Sequence, residues 1–319
     1  MKTVKVTGWG TYLPDKVLSN ADLEKMVDTS DEWIITRTGI KERRLAADNE
    51  VTSDLGAEAA RKAIDQAGLK PEDIELIIVA TVTGDTPFPS TACYLQHKIG
   101  AVKAACFDLS AACSGFIYGL ITAQQFIKTG FYANALVIGA EVMSAFVDWQ
   151  DRNTCVLFGD GAGACVLEPS DDDRGIISSY LGSDGSQTEL LRVPGGGSKI
   201  PATKQSVEDK EHYLKMSGSE VFKLAVRAMA EAANKALGKV NIDCKDVACL
   251  IPHQANIRII EAVAKRIGLP RDRIYFNIEK YGNMSSASTA VGFCEAVEQG
   301  RIKKGDIVVL VAFGAGLTW

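Results

Sequence analysis

The chain has 319 residues, 46% hydrophobic and 24% charged, with a net charge of −5, enough apolar material for a large core or two fused units. That acidic balance argues against general nucleic-acid binding. Eight cysteines without close spacing or a CxxC pair, behind an MKTVKVTG start that lacks the apolar core of a signal peptide, argue against a disulfide framework or a zinc site and for a reduced, cytoplasmic protein.

In chain order, Trp33 and Arg37 lie four apart on a short predicted helix capped by Thr29 and Glu32, which puts indole and guanidinium on one face. The stretch SDLGAEAARKAIDQAG (53–68) reads as a helix from a capping Ser53 to Gly68, with Pro71 beyond. LIIVAT (76–81) is a continuous apolar run, as are ALVIGA (135–140), VACLI (247–251) and DIVVLVAF (306–313) further on. Such runs are strands buried on both faces, the mark of a parallel sheet covered by helices. The most apolar helix-like stretch, 116–127, is broken by Gln124 and Gln125 and is too short to span a bilayer, so no membrane span is expected. FGDGAGACV (158–166) lies between β-like runs and reads as a hairpin, not a dinucleotide fingerprint. VPGGGSK (193–199) lacks phosphate-loop spacing and reads as a flexible loop. Ser217 and Glu220 make a capping-box pattern ahead of VFKLAVRAMAEAANKALG. The class is α/β.

The two halves resemble each other. KAIDQAGLKPEDIELIIVAT (62–81) parallels KALGKVNIDCKDVACLIPHQ (235–254), and HKIGAVKAACFDLSAACSGF (97–116) parallels KRIGLPRDRIYFNIEKYGNMSS (265–286). Each second segment leads into a helix closing on a glycine, Gly130 or Gly300, and aligning these carries Cys113 onto Asn283. Matched segments in the same order favour an internal duplication of a βαβ-rich unit over chance similarity. The expected division is residues 1–170 and 171–319.

FDLSAACSGF (107–116) sets Cys113 among small residues at a strand-to-helix crossing. Most cysteines in such a protein are small core fillers, but this thiol would sit at the start of a helix over 114–128, where unpaired N–H groups favour an anion. A helix end is worth roughly 0.3–2 kcal/mol, which would lower a thiol from about 8.5 to roughly 7–8 without a dedicated base. His253 follows a buried strand in LIPHQANIR, where open α/β sheets keep their sites, although a core or capping histidine is an equal alternative. His97 and His212 read as surface residues. Asn283, beside Gly282, reads most simply as a turn residue.

Taken together, SDEWIITRTGI (30–40), DLSAACSGF (108–116), RNTCVLFGDGAGA (152–164), PHQANIRI (252–259), YGNMSSAS (281–288) and AFGAGLTW (312–319) resemble β-ketoacyl-acyl carrier protein synthase III, in that family's order and over essentially the whole chain. The resemblance implies the thiolase fold, two duplicated halves in an α-β-α-β-α layering, and a homodimer. It implies that Cys113 takes an acyl group from a short acyl-CoA primer and that malonyl-acyl carrier protein then condenses with it, losing carbon dioxide. His253 and Asn283 would donate hydrogen bonds to the enolate, and the backbone N–H groups of Cys113 and Ala315 would hold the acyl oxyanion. Trp33 and Arg37 would sandwich the CoA adenine, with Arg152 helping to hold the nucleotide end. Lys223, Gln254, Arg258, Lys265 and Arg266 would meet the acidic carrier protein, and Phe88 would cap the partner subunit's acyl pocket. No cofactor and no metal is implied.

One departure is that the chain stops at Trp319, where the duplication and the family call for one more short strand, so a C-terminal truncation is expected. A degradative thiolase would need a second cysteine where Asn283 stands, and Cys294, inside a helix, is a poor substitute. A catalytically silent dimer partner would lack the nucleophile.

Overall fold

The computed structural model describes residues 3–319. Its N-terminal sheet is built from strands β1 (Thr3–Tyr12), β2 (Leu76–Ala80), β3 (Ala105–Leu109), β4 (Ala135–Val142) and β5 (Asp160–Ser170). Their spatial order is β1-β5-β4-β2-β3, with β2 parallel to β3 and to β4, and with β5 antiparallel to β1 and to β4. The β2 and β4 runs are buried nearly throughout, as unbroken apolar strands covered on both faces must be.

Helices α1 (Asp31–Thr38), α2 (Thr52–Gln66), α3 (Thr91–Ile99) and α4 (Gly115–Lys128) come from this half. In the second half, α5 (Gly218–Gly238), β6 (Val247–Pro252), α6 (Ile257–Ile267), α7 (Ser286–Glu298) and β7 (Ile307–Val311) follow, with β6 and β7 parallel. Leu55 and Leu95 pack on one face of the first sheet against Ile77 and Ile138. Phe116 and Ala290, from α4 and α7, pack on its other face against Ile78 and Val137. Ala296 of α7 then meets Cys249 and Ile251 of the second sheet, whose far side is covered by Val221 of α5 and Ile260 of α6. The result is five layers, α-β-α-β-α, with α4 and α7 in the middle.

The two halves repeat in their backbone geometry. α4 and α7 run into Gly130 and Gly300, both left-handed at φ +74° and +68°. Each is preceded by one strained non-glycine residue at φ +47°, Ala112 in the first half and Ser285 in the second. With these two residues matched, Cys113 lies just after its strained residue and Asn283 two before. The alignment on closing glycines is therefore shifted at the helix starts.

Local details differ from the sequence reading where tertiary contacts decide them. The run 158–166 is no hairpin: Asp160–Ser170 is a single strand. Its glycines admit the central helix, since a Cβ on Gly163 would meet the Ala290 Cβ at 2.7 Å. Ser30, not Thr29, caps α1, its hydroxyl accepting from the Trp33 amide at 3.1 Å. α2 starts one residue earlier than Ser53, whose hydroxyl is drawn instead to Asp85. At α5, Glu220 accepts from Ser219 at 2.6 Å, so the box expected with Ser217 does not form.

Candidate active site

The Cys113 elbow, a short 3-10 turn at Ala112–Ser114, joins β3 to α4 and buries the thiol to 8% exposure. His253 follows β6 directly, its amide bonded to Val311 O of the parallel neighbour at 2.7 Å. Asn283 is held by a short parallel bridge to Phe158, in which its amide donates to Leu157 O at 2.8 Å and its carbonyl accepts from Gly159 N at 3.1 Å. The buried guanidinium of Arg43 grips the adjoining Val156 O at 2.7 Å and so braces this bridge. Asn283 Oδ1 accepts from Ser285 N at 2.9 Å, which leaves the side-chain amide nitrogen as the donor.

All three side chains line one cavity of about 400 Å³. Met143, Phe146 and Leu214 contribute apolar wall, and Phe313 and Ala315 close it beside Cys113. The chain after β7 is tied to the elbow: Ser114 Oγ donates to Thr318 O at 3.0 Å, and Thr318 Oγ1 donates to Ala111 O at 2.9 Å.

Electrostatics at the thiol reverse the sequence expectation. Burial pushes Cys113 up to about 12, with the Glu141 carboxyl adding to the rise and the Ser285 hydroxyl opposing it. A helix terminus supplies at most about 2 kcal/mol, about one and a half pKa units, which is less than desolvation takes away. The expected value of roughly 7–8 therefore fails, and the Cys113 thiol is neutral at rest. Burial also pushes His253 down to about 3, so its imidazole is neutral, and its Nδ1 has no hydrogen-bond partner.

Of the other anticipated residues, Trp33 and Arg37 share a face of α1, with the Arg37 guanidinium 5.8 Å from the indole centroid. Arg152 stacks closer, at 4.9 Å. Asn256, at the cavity rim, donates from its side chain to Arg37 O at 2.9 Å, joining this face to the start of α6. Lys223, Arg258, Lys265 and Arg266 are exposed on α5 and α6. Gln254 is not: it is fully buried, donating to Pro252 O and Tyr275 O and accepting from the Asn277 and Ile278 amides. Its assignment to carrier-protein contact is withdrawn, because an amide satisfying four buried backbone groups at this depth braces the His253 turn and cannot reach a partner. Phe88 is 85% exposed and lies outside the cavity of its own chain.

Sequence reasoning missed Glu141, Ser285 and Arg43. Glu141 and Arg43 carry a local signal, a charged residue within or flanking a run of apolar or β-like character, whereas Ser285 is one of several serines in SSAS.

Family comparisons agree with this geometry. Residues 107–185 match the model described as 3-oxoacyl-[acyl-carrier-protein] synthase III, and residues 237–319 match its C-terminal counterpart. The chain is 57% identical over 314 residues to β-ketoacyl-[acyl-carrier-protein] synthase III of Caldanaerobacter subterraneus subsp. tengcongensis, covering 98% of this chain and 95% of that one. Its counterpart in Clostridioides difficile has the same identity and coverage. The crystal structure of 3-oxoacyl-[acyl-carrier-protein] synthase III from Aquifex aeolicus superposes with a TM-score of 0.92 at 48% identity, covering 99% of this chain and 97% of that one. With matching models in both halves and 57% identity over nearly the whole length to the Caldanaerobacter and Clostridioides proteins, the chain belongs to the β-ketoacyl-[acyl-carrier-protein] synthase III family.

Proposed function

We propose that this protein catalyses the initiating condensation of type II fatty acid synthesis: acyl transfer from a short acyl-CoA to Cys113, then decarboxylative condensation with malonyl-acyl carrier protein to give β-ketoacyl-acyl carrier protein and carbon dioxide. The observation that carries it is the convergence of Cys113, His253 and Asn283, from opposite halves of the chain, on one cavity. The first half, residues 1–170, supplies the nucleophile, and the second, 171–319, supplies the two donors.

Thioester exchange is close to isoenergetic, so a sulfur nucleophile stores the acyl group without losing its reactivity. Loss of carbon dioxide from the malonyl group puts negative charge on its thioester oxygen. The Asn283 amide and one N–H of neutral His253 stabilise that charge as preorganised donors. The backbone N–H groups of Cys113 and Ala315 serve the acyl oxyanion. Trp33, Arg37 and Arg152 hold the CoA nucleotide, with Arg152 as the main stacking partner because it lies nearer the ring. Lys223, Arg258, Lys265 and Arg266 form the docking face for the acidic carrier protein. The enzyme works in the cytoplasm as a homodimer in which exposed Phe88 reaches the partner's acyl pocket. Among the described residues no helix is long and apolar enough to cross a membrane.

A thiolase reading lacks its second cysteine. Cys294 is fully buried with its thiol directed to Gly10 O and Ala164 O, and Cys113 is the cysteine of the cavity. The deciding experiment is intact-protein mass spectrometry after exposure to a panel of acyl-CoAs. One acyl mass should be gained by the wild-type chain and none by Cys113→Ser, since a hydroxyl is far less acidic than a thiol. Equal labelling of the two proteins would overturn the assignment.

A further inference from the structure

Glu295, on the middle helix α7, lies outside the cavity and takes no part in the chemistry above. It nevertheless gathers three side chains from residues 275–281. Its Oε1 accepts from the Tyr281 hydroxyl at 2.7 Å, and its Oε2 accepts from the Tyr275 hydroxyl and the Asn277 side-chain amide at 2.9 Å each. A carboxylate accepting from neutral donors makes hydrogen bonds roughly twice as strong as those between uncharged groups. Burial, with Glu295 adding to it, pushes both phenols above their usual range, so each remains a donor. The helix beneath is firmly held. Ala296 packs on Cys249 and Ile251, and the Cys294 thiol is directed to Gly10 O and Ala164 O.

From Glu295 the hydrogen bonds continue toward both polar side chains of the cavity. Gln254, the residue after His253, donates to Tyr275 O at 3.3 Å and accepts from the Asn277 amide at 3.2 Å. Asn277 then reaches Glu295 through its own side chain. On the other side, Tyr281 ends the short helical turn Ile278–Tyr281, and Gly282, at φ +64°, is all that separates it from Asn283. An unbroken path thus runs from the His253 turn through Gln254, Asn277, Glu295 and Tyr281 to the residue two before Asn283. His253 and Asn283 have backbone anchors of their own in Val311 and Leu157, but these lie on separate segments, and neither spans the distance between the two side chains. Donors that serve one developing oxyanion must each lie about 3 Å from it, and misplacing a group by about 1 Å can slow a reaction about 100-fold.

We propose that Glu295 is a positioning residue for the condensation, setting the spacing of His253 and Asn283 through Asn277 and Tyr281; this rests on the donor roles given to those two residues above. Its effect is confined to the stage in which charge forms on the malonyl thioester oxygen, because acyl transfer to Cys113 uses the backbone N–H groups of Cys113 and Ala315 instead. The Tyr275 hydroxyl stands outside the path. It shares Oε2, but the Tyr275 backbone is fixed to β6 by its amide bond to Leu250 O at 2.9 Å.

The test is Tyr281→Phe, which deletes one hydroxyl and leaves Glu295 two donors, assayed by carbon dioxide release from malonyl-acyl carrier protein. The kcat for release should fall about 10- to 100-fold with KM unchanged, while the acyl mass gained from acyl-CoA matches wild type. Tyr275→Phe removes an equivalent bond from the same carboxylate and should release carbon dioxide near the wild-type rate. In an Asn283→Ala background Tyr281→Phe should bring no further loss, because the group it positions is gone. Glu295→Gln, whose amide cannot accept from all three donors, should show the same selective loss, and Tyr281→Phe reads the path even where Glu295→Gln does not fold. Equal slowing by both tyrosine variants, equal slowing by Tyr281→Phe in both backgrounds, a matching loss of acylation, or a release rate that Tyr281→Phe leaves unchanged would overturn the proposal. In each of those outcomes the wild-type chain still gains its acyl mass and releases carbon dioxide. A wild-type chain that does neither overturns the functional reading itself, and the positioning role with it.

Discussion

A side-chain carbon on Gly314 would lie 2.6 Å from the backbone nitrogen of Cys113 and 3.2 Å from that of Ser114. The chain leaving β7 is thus pressed against the elbow that carries Cys113, and it brings Ala315 to the cavity. This contact between backbones makes the cavity around Cys113 a joint property of segments from opposite ends of the chain.

Gly314→Ala should therefore disable acyl transfer, because neither backbone at the contact can yield without moving Ala315 or Cys113. Losing one oxyanion donor costs about 100- to 1000-fold in rate, and a fall of that size in acyl-enzyme formation, at wild-type CoA affinity, is the expected result. Transfer within tenfold of wild type would show that the 313–318 segment is not needed for the chemistry.

His253→Ala and Asn283→Ala should still accept an acyl group from acyl-CoA while failing to decarboxylate malonyl-acyl carrier protein. Enolate charge appears only in the second stage, and removing one donor should slow carbon dioxide release by about 100- to 1000-fold. The paired measurement is radiolabel on the protein from acyl-CoA and carbon dioxide from the malonyl substrate. Acylation lost in folded His253→Ala would make the imidazole the base for Cys113.

Acid stability should carry the signature of His253. Burial holds its folded pKa at about 3, against about 6.5 in an unfolded chain. Between those values the unfolded chain binds a proton that the folded one refuses, so stability falls as pH drops through the window. From pH 7 to pH 5 this one residue should cost about 2 kcal/mol, and His253→Gln should remove that part of the slope in urea denaturation. An unchanged slope would mean that His253 is protonated in the folded protein.

Arg258→Glu combined with Lys265→Glu should raise KM for malonyl-acyl carrier protein and leave acylation by acyl-CoA near wild type. Both side chains are exposed on α6, where reversing charge acts on association with an acidic partner. An equal penalty with malonyl-CoA as substrate would show that the pair does not dock the carrier. Gln254→Ala, by contrast, should act on folding, since it strips partners from buried backbone groups at about 1–3 kcal/mol each.

Much of this molecule is legible in its sequence because the information is local. The four apolar runs became β2, β4, β6 and β7 within two residues, since a strand covered on both faces needs apolar side chains at every position. The glycines that close α4 and α7 stand where a left-handed residue ends a helix. Cys113 and His253 stand out because each follows a strand end, where side chains of an α/β sheet meet ligands, whereas Asn283, locally a turn residue, is singled out by the family resemblance.

What the tertiary structure decided is the environment those residues share. The thiol's charge could not be read from the helix behind it, because segments distant in sequence close around Cys113 and its own burial, together with the Glu141 carboxyl, outweighs the local helix end. Gln254 looked available for a partner until Asn277 and Ile278 folded over it, and Arg152 reached the Trp33 ring ahead of the helical neighbour Arg37. Periodicity and capping depend on residues a few positions apart, whereas solvation and electrostatic fields depend on everything within a few ångströms, and only the folded chain sets that distance.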